Sequence, residues 1–166
     1  MTVNILEKLF KHNQWANLQI IQACSELNDE QLDAEPQSAT VGTIRETLWH
    51  IVDSEGDYLS QLTGVDFGFN WQAPPSFDEL QEAVGVIGEG LLALARDASS
   101  KVLEVQIHSE DGYVIEPWVI VIQLINHATE HREQIKSMLS ALGVKPPRVD
   151  GWGYGRVINA LIPPST

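Results

Sequence analysis

Cysteine, positive charge and long apolar runs are all scarce in this chain of 166 residues. Cys24 is the only cysteine, so no disulfide can form within the chain, and its neighbours Ile20, Ile21 and Leu27 mark it as a packing residue. Only 10 Lys and Arg stand against 23 Asp and Glu, giving a formal charge of −13. Such a surface repels phosphate backbones and anionic headgroups, so neither nucleic acid nor membrane is an expected partner. The acids are dispersed along the chain, which reads as a solubilising surface rather than a steering patch. No apolar run approaches the roughly 18 residues of a membrane span. Asn4, Glu7 and Lys8 interrupt the N-terminal segment where a signal peptide would be continuously apolar, so a cytoplasmic location is expected.

Hydrophobic residues make up 43% of the chain, and no repeat or linker divides it, so one domain over 1–166 is expected. Ile5, Leu6, Leu9, Phe10, Ala16, Ile20, Cys24 and Leu27 recur at helical spacing and predict a first helix over 3–27. Asn13 falls on that apolar stripe, where an unpaired amide would cost about 1–3 kcal/mol. It needs a polar partner, either in a functional site or on a neighbouring backbone. A second helix over 43–63 opens with the capping box Thr43-x-x-Glu46 and ends at Gly64. His50 lies beside its stripe. Glu55 lies inside it, where a carboxylate requires a cation or a proton.

The aromatic, turn-rich run 65–75 predicts a loop over one end of a bundle that could shape a pocket mouth. Ser76 caps a third helix over 77–98, in which Gly85, Gly88 and Gly90 imply close helix packing. Alternation over 101–107, a turn at 109–112 and Tyr113-Val114-Ile115 predict a short β-hairpin. Pro117 then starts a last helix that runs to about Leu142, before Gly143. The glycine-rich tail 150–156 has neither dinucleotide-binding nor phosphate-loop spacing and reads as a loop.

On the last helix, Ile120, Leu124, His127, His131, Met138 and Leu142 share a narrow sector when projected at about 100° per residue. Two imidazoles side by side on a buried face need partners. A divalent cation would serve both; separate bonds to backbone carbonyls or to acids such as Glu130 and Glu133 are the alternative. Ala128 stands where zinc proteases carry the glutamate of HExxH, which argues against that class.

Asn126-His127-Ala128-Thr129-Glu130-His131-Arg132-Glu133-Gln134-Ile135 resembles the NHxTxHRxQ signature of the DinB family of metal-binding proteins. His12-Asn13-Gln14-Trp15-Ala16-Asn17 is similar to that family's opening YNxWAN stretch, and Thr47-Leu48-Trp49-His50-Ile51 to its TLxHL motif. The resemblance implies an all-α, up-down-down-up four-helix bundle with a short β-hairpin before the last helix, often a homodimer. It also implies His50, His127 and His131 as metal ligands. Glu130 replaces a histidine found there in many relatives, which touches the ligands' surroundings and not the ligands; His12 and His108 match no ligand position.

Three histidines would leave coordination positions open on a divalent transition metal, zinc or nickel first and iron next. The resemblance implies a metal-dependent transferase that activates a low-molecular-weight thiol for attack on a small-molecule substrate. A metal-dependent hydrolase and a non-catalytic metal-binding stress or interaction protein are the alternatives. Asn13, Glu55, Arg132 and Gln134 are the expected neighbours of the ligands or of substrate. Arg132 projects away from the histidine sector, where an acid could pair with it.

Overall fold

The computed structural model describes residues 4–36, 42–97, 106–109 and 111–162. Four long helices carry the fold: α1 (Ile5–Cys24), α3 (Ile44–Thr63), α4 (Phe77–Arg96) and α5 (Pro117–Ala141). Two short ones, α2 (Asp29–Leu32) and α6 (Gly151–Val157), and a hairpin of β1 (Ile107–His108) with β2 (Val114–Ile115) complete the described elements. Asn4 Nδ2 donates to the Ala95 carbonyl and Gln14 Nε2 to that of Val84, so α1 and α4 run antiparallel. Leu62, Leu94 and Ile120 share one cluster, bringing the ends of α3 and α4 to the start of α5. At the other end, Ile44 lines a cleft with Met138 and Leu142. The long helices therefore run up, down, down and up, with leucine and isoleucine faces closing the core between them.

Caps explain most boundaries. Thr43 and Ser76 each open a helix through a capping box, with Glu46 and Glu79 returning to the cap backbone. Gly64 and Gly143 take positive φ values of 70° and 74° just past helix ends, where a side chain would be strained. The first helix stops at Cys24 rather than at residue 27, because Asn28 caps a new turn: its side chain accepts from Gln31 N, and Gln31 reciprocates. The third ends at Arg96. In the hairpin Ile107 pairs with Ile115 and His108 with Val114, while 101–105 of the expected first strand lie outside the described residues.

The tail departs from the expected loop. Residues expected as a loop form α6, because Asp150 accepts from Gly153 N at 2.7 Å and so nucleates a turn despite the glycines. That helix packs on α1, where Tyr154 meets Trp15 and His12 at ring-centroid distances of 5.2 and 5.5 Å. His12 also bonds the Val149 carbonyl through Nε2 at 2.8 Å. Close packing holds at Gly88, against Gln14, and at Gly90, against Leu59 and Phe67; a Cβ on Gly85 would meet nothing within 4 Å among the described residues. The aromatic loop packs along the α3–α4 seam through Phe67, with Phe69 and Trp71 stacked at 4.7 Å. Among the described residues no helix is long and apolar enough to cross a membrane.

Candidate metal centre

His50 sits in the second turn of α3, and His127 and His131 face it from α5. Helical spacing stacks the α5 pair on one side of the helix, and antiparallel packing brings α3 alongside at that level. His127 Nε2 lies 3.0 Å from His50 Nε2 and 3.2 Å from His131 Nε2. Candidate ligand atoms of the three residues all fall within 4.8 Å of one another. Nitrogens sharing one ion at zinc–imidazole bond lengths stand roughly 2.9–3.4 Å apart for angles between 90° and tetrahedral. The two short separations match that range, so the three histidines form a cluster able to hold a metal ion.

The hydrogen-bond partners favour the same use. His131 Nδ1 donates to Gln134 Oε1 at 2.8 Å, which puts its proton on Nδ1 and a lone pair on Nε2. His127 Nε2 therefore faces an acceptor on one side and a third ring on the other. Its own Nδ1 is buried without a hydrogen-bond partner among the described residues. Burial, followed by His131 and His50, pushes the His127 pKa down to about 4. Burial and then His131 also lower His50, against the opposing pull of Asp53. Both rings are thereby kept neutral, the form that coordinates a metal. Tyr58 closes one side of the cluster, edge-on to His127 at 5.7 Å.

These shifts predict acid sensitivity of the chelator-treated protein. His127 has a folded pKa below its unfolded value, so its contribution is present above pH 6.5 and is lost as pH falls toward about 4. A shift of that size corresponds to about 3.4 kcal/mol at 1.36 kcal/mol per unit, and solvent screening of a half-exposed ring reduces it to about 1–2 kcal/mol. Urea denaturation at pH 7 and pH 4 should show His127→Gln losing less stability on acidification than wild type, by that amount. Equal losses would contradict the assignment.

The expected neighbours divide into two groups. Gln134 touches a histidine directly. Asn13, Glu55 and Arg132 instead bond to one another behind the cluster, on the side toward α1. Asn13 Nδ2 donates to Glu55 Oε1 at 2.7 Å, and Arg132 NH1 donates to Asn13 Oδ1 at 2.8 Å. Arg132 does turn away from the histidine sector, but it is buried, and among the described residues it bonds carboxamides and the Thr129 hydroxyl instead of pairing directly with an acid. Asn17 is the member that sequence reasoning missed. It donates to both Glu55 oxygens at 2.9 Å and accepts from Arg132 at 2.6 Å. Its position one turn after Asn13 on the same stripe was the available signal. The alternative partners for the α5 histidines, separate backbone carbonyls or acids such as Glu130 and Glu133, are not the ones found among the described residues: His127 meets His50 and His131, and His131 meets Gln134.

A four-helix bundle carrying a three-histidine cluster across two antiparallel helices defines the class. The chain matches the DinB family over residues 1–158 and belongs to it. No curated protein matches the chain closely enough to lend it an activity.

Proposed function

We infer that the protein binds one divalent transition metal, zinc or nickel before iron, through His50, His127 and His131, and uses it to transfer a low-molecular-weight thiol to an electrophilic small molecule. The observation that supports this most directly is the convergence of three Nε2 atoms, with separations of 3.0 and 3.2 Å, and no fourth His, Cys, Asp or Glu in the cluster among the described residues. Three protein ligands leave a position for an exogenous group. An ion there lowers the pKa of a bound thiol and favours the nucleophilic thiolate.

The chain's own residues suit that division of labour. Gln134 holds the His131 ring in one orientation and tautomer. His50 and His127 are only half-buried, so the cluster can be reached from solvent along the α3–α5 seam. Cys24 cannot supply the sulfur: burial pushes its thiol up to about 12 and it lies within the core. The nucleophile must come from outside the chain.

Metallated protein should be incubated with bacillithiol, mycothiol or glutathione and an aryl halide, and the thioether measured by mass spectrometry. Conjugation above the uncatalysed rate with at least one thiol, abolished by chelation and in the His127→Ala/His131→Ala variant, is the expected result. Metal-dependent ester hydrolysis without conjugation would favour a hydrolase. Metal binding with neither activity would favour a non-catalytic role.

A further inference from the structure

Behind the histidines lies a buried set of polar side chains that ties three helices together. Glu55, Asn13, Asn17 and Arg132 retain only 1%, 1%, 2% and 2% of their exposure. Arginine carries only donors, so both carboxamides must turn Oδ1 toward Arg132. Their Nδ2 groups then point at Glu55, whose oxygens accept three hydrogen bonds at 2.7–2.9 Å. The two asparagines act as relays between a buried carboxylate and a buried guanidinium. Each link has one orientation that satisfies every member.

The placement of these groups connects them to the metal centre. Glu55 follows His50 on α3 by five residues, about 7.5 Å of axial rise and about 140° of rotation. Arg132 directly follows His131 on α5. The two helices that present ligands to the α3–α5 seam therefore present the two charges toward α1. Sliding or rotating either helix by an ångström would lengthen charge-assisted bonds between groups that are buried from solvent. The same displacement would open the 3.0 Å contact between His50 on α3 and His127 on α5.

We propose that Asn13, Asn17, Glu55 and Arg132 are positioning residues that set the register of α3 against α5, and with it the spacing of the three histidine ligands. The proposal rests on the metal-binding reading above and extends it to four residues that do not touch the ion. Charge alone does not suffice: Arg132→Lys keeps the cation but loses the planar nitrogen that spans both Oδ1 atoms. Glu55→Gln replaces one of the two accepting oxygens with an NH2 donor that faces the asparagine Nδ2 donors, so one member of the set is left without an acceptor.

Cobalt(II) titration tests this, because its visible d–d bands report ligand geometry as well as binding. Wild type, Glu55→Gln, Arg132→Lys, the milder Asn17→Ala and a remote core variant, Leu94→Ala, are compared. The network variants should bind cobalt about 10–100-fold more weakly, with shifted bands. Leu94→Ala should lose thermal stability yet keep the wild-type Kd and spectrum. Folded network variants with the wild-type Kd and spectrum would overturn the proposal, as would equal weakening in Leu94→Ala. If the two charge variants do not fold, Asn17→Ala decides by the same criteria. A wild-type protein that binds no cobalt, nickel or zinc removes the metal reading and this proposal together, a result distinct from selective failure of the network.

Discussion

Wild-type protein freed of metal and dialysed against zinc or nickel should retain one equivalent per chain, and the His50→Ala/His127→Ala/His131→Ala variant none. The expected effect is large because the variant loses every protein ligand in the cluster, whose Nε2 separations are 3.0 and 3.2 Å about His127. Binding to the native state alone also stabilises it, by about 4 kcal/mol at a free metal concentration 1,000-fold above Kd. For a chain of this size that is roughly 8–16 °C in melting temperature. The wild type should show the shift on adding metal; the triple variant should melt at one temperature with or without it. Plasma emission spectrometry and calorimetry read the two effects separately. A folded triple variant that keeps its equivalent of metal would place the site elsewhere.

Local signals in the chain carried much of this architecture. Apolar periodicity and capping boxes located α3 and α4 to within two residues at each end, because Thr43 with Glu46 and Ser76 with Glu79 act over three positions. His127 and His131 were visible as a pair for the same reason, their relation being one turn of one helix. His50 came from the resemblance of its motif, since nothing local joins it to a helix 77 residues further along. The network was least legible. Arg132 meets Asn13 and Asn17 across 119 and 115 residues, and projection on a single helix shows only that it leaves the histidine face. α6 was hidden differently: three glycines lower its propensity, whereas Asp150 and the contact of Tyr154 with α1 outweigh them.

Arg132→Ala should destabilise the metal-free protein by about 3–5 kcal/mol, because it leaves a fully buried carboxylate without its cation. The corresponding fall in melting temperature is roughly 6–20 °C. Two carboxamide oxygens lose their donor in the same step, so the asparagines cannot compensate by turning without placing oxygen against oxygen at Glu55. The pH dependence separates this cause from simple loss of packing. Burial pushes the Glu55 carboxyl above its ordinary 4.5, while Asn13, Asn17 and Arg132 pull it down. Burial prevails, so the carboxyl is already raised in the wild type; without Arg132 it rises further, and the folded variant takes up its proton at a higher pH than the folded wild type does. Its deficit relative to wild type must therefore shrink as pH falls from 8 toward 5, although both proteins lose the histidine contribution over part of that interval. Urea denaturation of both proteins at pH 8 and 5 measures the difference directly. A deficit of the same size at both values would mean that Glu55 is already neutral in the wild type, and that Arg132 is held by the asparagine oxygens and Thr129 alone.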